Sequence, residues 1–302
     1  MKYSGFNAAL ALLSGVLAFN SSMAHADYVK QLPVSQIHPT QPAIGYDEVK
    51  LKIAELKQDR KKLFNEFCKN NGAGKVTSFD AKSDITVAKS FQCADAFGSQ
   101  LAEVKSAVLA PDHQVYLTDG HHTISVFRDF SGDKDFPYYV RITDDFSKLP
   151  SMQAFWDTMQ QKNLAWLSDP QGNIVKPEDL PKQVGMKYMP NDDYRSVVYF
   201  LRGAAYKKMD DAPPFLEFYL GSWLRTHAPV KGDALKTEAG YAAYLSEAAQ
   251  ALTAADGSQH ATADAKSPTL DQLGKLDSVK SKKLKKLTEE DGKLTQLFSD
   301  KA

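Results

Sequence analysis

From Gly45 to Phe67 apolar residues recur at helical spacing. Val49, Ile53, Leu56, Leu63, Phe64 and Phe67 are separated by lysines and acids. The pattern predicts one long amphipathic helix, lying across a sheet and ending at Asn70-Asn71-Gly72-Ala73-Gly74. Before it, Tyr28–Val34 reads as a short extended segment, and Ile37-His38-Pro39-Thr40-Gln41-Pro42 as a proline-punctuated loop. Beyond it, Asp84–Ala88 has strand character and Phe97–Val104 is a short helical or irregular piece. Ala107–Ala110 and Val115–Leu117 flank Pro111-Asp112-His113-Gln114 as a β-hairpin.

The hairpin runs into Thr118-Asp119-Gly120-His121-His122-Thr123, followed by Ile124, Val126 and Phe127. This is a strand, a tight turn and the first turns of a short helix, with Asp119 as the expected N-cap. The aromatic and β-branched run Phe136–Ile142 returns as a strand. Hairpin, helix and strand around one turn define a small α+β unit over residues 27–145.

Residues 146–254 change character and form a helical region packed on that unit. Apolar bands predict helices over Ser151–Gln161, Tyr194–Lys208, Pro214–Thr226 and about Thr237–Leu252. Residues 255–268, rich in Ala, Ser, Gly and Thr, read as a flexible linker. Residues 269–302 repeat leucine among many lysines and predict one or two amphipathic helices. The run Lys280, Lys282, Lys283, Lys285 and Lys286 is followed by Glu289, Glu290 and Asp291, as on a solvated helix face.

Composition narrows the function classes. With 37 basic and 37 acidic residues the net charge is zero, which argues against sequence-independent binding to nucleic acid through a large basic field. The apolar run Ala8–Phe19, ending in Ser22-Met23-Ala24-His25-Ala26, has the form of a secretory signal peptide over residues 1–26. No transmembrane segment is expected. The expected location is periplasmic or secreted. In an exported chain the two cysteines, Cys68 and Cys93, are expected to form a disulfide that closes a loop of about 25 residues. Gly72-Ala73-Gly74-Lys75 lacks the spacing of a phosphate loop, and Val76 stands where Ser or Thr would follow.

The candidate chemistry centres on the turn. Two adjacent imidazoles stand where the unpaired amides of a helix start favour an anion, so His121 and His122 are candidate catalytic proton carriers. Thr123 and Gly120 would hold phosphate oxygens, and Asp119 would orient an imidazole or ligate a cation. Arg195 and Arg225 are candidate forks for phosphate or carboxylate. Glu217, between Leu216 and Phe218, either pairs with an arginine or acts as a base. Asp119 and His121 are candidate ligands of a divalent metal, although residues 121 and 122 point about 100° apart on an ideal helix.

Ile37–Pro42 together with Thr118–Thr123 resembles the ParB/sulfiredoxin-like superfamily in its "putative ParB-like nuclease" branch. That branch also has segments resembling Asp192–Ser196 and Phe215–Arg225. The resemblance spans roughly residues 28–228. It implies a mixed-sheet α+β domain in which the glycine turn and helix start hold phosphate, with Gln41 a further candidate phosphate ligand. Chromosome-partitioning relatives carry an arginine-rich turn where this chain has His-His-Thr. Sulfiredoxins carry a reactive cysteine where it has His121, which excludes sulfinic-acid repair. Nucleoside triphosphates are scarce outside the cytoplasm. The reading is therefore an exported hydrolase or phosphotransfer-type enzyme acting on a phosphorylated substrate, nucleotide or nucleic acid. The alternative is an envelope protein that binds an anionic small molecule in the same cleft without turnover.

Overall fold

The computed structural model describes residues 24–299. The expected leader, residues 1–26, lies almost wholly outside the described residues. Strand β1 spans Ala24–Pro33 and β2 Ile37–His38. Helix α1 spans Tyr46–Gln58 and α2 Arg60–Asn70, and β3 (Val76–Ser78) and β4 (Gln92–Cys93) form a small separate sheet. The hairpin is β5 (Ser106–Leu109) and β6 (Val115–Leu117), followed by α3 (His121–Phe130) and β7 (Pro137–Asp145). The main sheet has the order β1-β7-β5-β6-β2. Its β1–β7 and β5–β6 pairs are antiparallel, and its β5–β7 and β2–β6 pairs are parallel.

Alternation along β7 decides the faces. Tyr138, Val140 and Ile142 are fully buried, while Tyr139, Arg141 and Thr143 are partly open. The buried set meets α1, α2 and α3 through Val49, Leu56, Phe64, Phe67, Ile124 and Phe127. Phe67 is the hub. Its ring lies 5.2–6.4 Å from those of Phe91, Phe97, Phe127, Phe136 and Tyr138. Burying such a ring stabilises the fold by roughly 1.5–3 kcal/mol. The next residue, Cys68, is bonded to Cys93 (Cα–Cα 5.7 Å), tying the end of α2 to β4 as expected.

On the opposite face Val108, Ala110 and Phe146 pack against Phe155, Trp156 and Met159 of α4 (Met152–Gln161). A second core is built from α5 (Asp193–Leu201), α6 (Leu216–His227), α7 (Glu238–Ala254), α8 (Ser281–Lys285) and α9 (Lys293–Ser299). Leu51 of α1 belongs to it, so α1 touches both cores. Residues 255–268 form turns that bury Ala261 and Ser267. Among the described residues no helix is long and apolar enough to cross a membrane.

Three local expectations are corrected. The long helix is two helices. Asp59 takes an extended conformation, ends α1, and caps α2 by accepting from the Lys62 amide at 2.9 Å. Asp84–Ala88 is a turn rather than a strand, because the Asp84 side chain accepts from the Thr86 amide and the Ser90 hydroxyl closes the loop. Helix α5 stops at Leu201, after which Arg202–Tyr206 turns back on itself.

Candidate functional site

The β5–β6 hairpin aims the start of α3. The amides of Thr118 and Asp119 both donate to the Ser106 carbonyl, at 2.9 and 3.3 Å, and the Thr118 hydroxyl donates to Ser106 Oγ at 2.8 Å. The N-cap is Gly120, not Asp119. Its φ of 90° is left-handed, and a Cβ there would come within 2.5–2.9 Å of the Lys105 side chain. Asp119 instead points outward, 69% exposed, with Oδ2 3.9 Å from Lys105 Nζ.

Side chains cap α2, α4, α5 and α7 through Asp59, Ser151, Asp192 and Thr237. Neither α3 nor α6 has such a cap. These two starts, Gly120–Thr123 and Phe215–Phe218, line one cleft of about 500 Å3, while α1 and α8, which also lack a side-chain cap, start elsewhere. The positive ends of two helix dipoles therefore border a single space, and at α6 the Glu217 amide is met by its own carboxylate.

The histidines line this cleft but are tied at one nitrogen each. His121 Nε2 accepts from the Thr40 amide at 3.1 Å, and the Thr40 hydroxyl in turn donates to the Leu117 carbonyl at 2.6 Å. His122 Nε2 accepts from the Gly45 amide at 2.9 Å. A backbone N–H can only donate, so each ring is neutral and carries its proton on Nδ1. Burial, helped by the Arg195 charge, pushes His121 down to about 3. Burial followed by Arg195 holds His122 well below the ordinary imidazole range. This arrangement favours two neutral rings over protonated ones near neutral pH.

Two arginine–carboxylate pairs complete the floor. Arg195 Nη1 donates to Glu48 Oε2 at 2.8 Å, and His122 Nε2 lies 3.9 Å from the same oxygen. Arg202 Nη2 donates to Glu217 Oε1. Burial alone would raise the Glu217 carboxyl, but Arg195, Lys208 and Arg202 outweigh it and hold it below its usual value. Glu217 is thus ion-paired in this structure. The charged lining comprises Lys105, Arg195, Arg202 and Lys208 against Glu48, Asp119 and Glu217. The two helix starts add to that cationic excess.

The cleft thus gathers Gln41, Asp119, Gly120, His121, His122, Thr123, Arg195 and Glu217. Gln41 is buried and spends its amide on the Ala43 carbonyl at 2.7 Å. Arg225 is outside: it reaches Asp192 at 3.5 Å and lies over the Tyr194 ring, 4.9 Å from the centroid. Of the two candidate metal ligands, Asp119 faces Lys105 and His121 Nε2 faces the Thr40 amide. Among the described residues no group of three or more His, Cys, Asp or Glu is arranged to hold a metal ion. Sequence reasoning missed Glu48, Lys105, Arg202 and Lys208. The signal for Arg202 was its place just after an apolar helix, in a segment leading to Glu217.

A mixed sheet with helices on both faces, and a cleft with charged lining at the end of its hairpin, define the protein as an α+β fold. Residues 30–226 match the profile of the family described as "Putative ParB-like nuclease", so the chain belongs to that family. Among solved structures it resembles protein Atu1540 from Agrobacterium tumefaciens, with 23% sequence identity and a TM-score of 0.52. The match covers 75% of this chain and 91% of that one, and at this identity it speaks for the fold alone. No curated protein matches the sequence.

Proposed function

We propose that the cleft binds the phosphate of a phosphorylated substrate, nucleotide or nucleic acid, and hydrolyses it as a nuclease-like phosphoesterase. The observation that carries this reading is the facing of two uncapped helix starts, α3 and α6, across a cleft that also holds Arg195 and Arg202. Amides and guanidinium groups at fixed positions stabilise the charge that grows on phosphoryl oxygens. Arg202, whose side chain is 43% exposed, is the more accessible guanidinium, while Arg195 is buried against Glu48. When Arg202 turns to a phosphate, Glu217 is released to take a proton from the attacking water. The water oxygen forms the new P–O bond, the ester P–O bond breaks, and the leaving oxygen takes a proton from solvent. His121 and His122 hold the α3 start against Thr40 and Gly45 and present Nδ1–H groups as donors. The small-residue pattern at Ala24–Ala26 supports export as the setting.

A second reading, an envelope protein that binds an anionic small molecule without turnover, rests on the two occupied Nε2 atoms. Turnover of bis-p-nitrophenyl phosphate and of a single-stranded oligonucleotide, with and without divalent cations, separates the two. The hydrolase reading expects turnover that Arg202→Ala and Glu217→Gln remove. Binding of phosphate with no turnover under any condition selects the second reading.

A further inference from the structure

Resting on the phosphate-binding reading, we infer that Phe215 is a stacking platform for one unpaired base, so that the cleft takes a nucleotide unit rather than a duplex. Phe215 is the N-cap of α6, with φ 59° and ψ 22°. A bulky residue seldom adopts this left-handed conformation, and Gly or Asn would fill the position without strain. Phe215 is half-buried and lines the cleft. It is backed by Trp166, with centroids 6.3 Å apart and planes 35° apart, and by Phe218 at 6.3 Å. Phe218 in turn carries the Arg195 guanidinium, 5.8 Å above its ring. An aromatic wall at the start of α6 therefore stands beside the cationic side chains that α5 and the segment after it bring to the cleft.

That pairing suits a ligand with a flat apolar ring joined to an anionic group. A nucleotide has both, and stacking on an aromatic ring tolerates every base because each has a π-face. The cleft volume of about 500 Å3 lies within the range of about 300–1,000 Å3 typical of small-molecule sites. Bases within a duplex are already stacked and paired, so a duplex offers this site only its phosphates.

The test measures binding to the full protein by calorimetry, with inorganic phosphate, ribose 5-phosphate, adenosine 5′-monophosphate, a short single-stranded oligonucleotide and its duplex as probes. Wild type and Phe215→Tyr should bind the mononucleotide about tenfold more tightly than ribose 5-phosphate. Phe215→Leu should lose that preference while keeping its affinity for ribose 5-phosphate, and the single strand should bind more tightly than the duplex. A preference retained in Phe215→Leu, or absent in the wild type, overturns the inference and leaves the phosphate reading standing. Failure of the wild type to bind either phosphate or ribose 5-phosphate overturns the phosphate reading and the inference together.

Discussion

Replacing His121 separates a structural imidazole from a proton carrier. His121 is 3% exposed, and its Nε2 accepts from the Thr40 amide. In the folded protein its pKa is pushed down to about 3, against 6.5 for a free imidazole. The unfolded chain therefore binds a proton between those values that the folded chain excludes, and stability falls as pH drops through that window. Each pH unit below the free-imidazole value costs about 1.36 kcal/mol, so at pH 5 the loss traceable to His121 is about 2 kcal/mol. His121→Gln keeps an acceptor near the Nε2 position but does not titrate. Urea unfolding at pH 7.5 and pH 5 should give a wild type that loses about 2 kcal/mol more than His121→Gln over that interval. His121→Ala, which orphans the buried Thr40 amide, should lose about 1–3 kcal/mol already at pH 7.5. Equal pH dependence in wild type and His121→Gln would refute the neutral, tied imidazole.

Other outcomes follow from the same geometry. Arg202→Ala should weaken phosphate binding at least tenfold by calorimetry. The half-open position of the side chain keeps the cost in unfolding free energy to about 1 kcal/mol. Arg225→Ala should leave phosphate affinity unchanged while lowering the urea midpoint, because Arg225 serves Asp192 and Tyr194 rather than the cleft. Reducing the Cys68–Cys93 bridge should cost about 3 kcal/mol of unfolding free energy, read by denaturation with and without reductant.

The hairpin and the start of α3 were legible because their signals are local: a β-prone run, an Asp-Gly turn and an apolar helical band. The cap was misassigned because Asp119 and Gly120 are both good cap residues. What decides between them is the close approach of Lys105, which lies 15 residues earlier in the chain. The break at Asp59 was hidden because Leu56 and Leu63 keep helical phase across it, and one extended residue leaves the pattern intact. Asp84–Ala88 misled through Ile85 and Val87. Ile85 is indeed buried, but side-chain bonds from Asp84 and Ser90 fold the backbone into a turn.

The site was legible at its centre and obscure at its partners. Glu48 sits among lysines on an amphipathic helix, where an acid normally reads as solvated, and its partner Arg195 is 147 residues away. The two histidines were found but their backbone partners were not. A neutral, depressed imidazole depends on which backbone amide it meets, and Thr40 and Gly45 come from a different part of the chain. Long-range pairing of this kind leaves no periodicity to read.

In the proposed function two helix starts share one phosphate. Amide NMR on titration with inorganic phosphate reads this sharing residue by residue. The amides of His121, His122 and Thr123 in α3, and of Leu216 and Glu217 in α6, should shift together with one dissociation constant, and Arg202→Ala should abolish the response. Shifts confined to one helix, or strongest at the lysine-rich α8 (Ser281–Lys285), would contradict it.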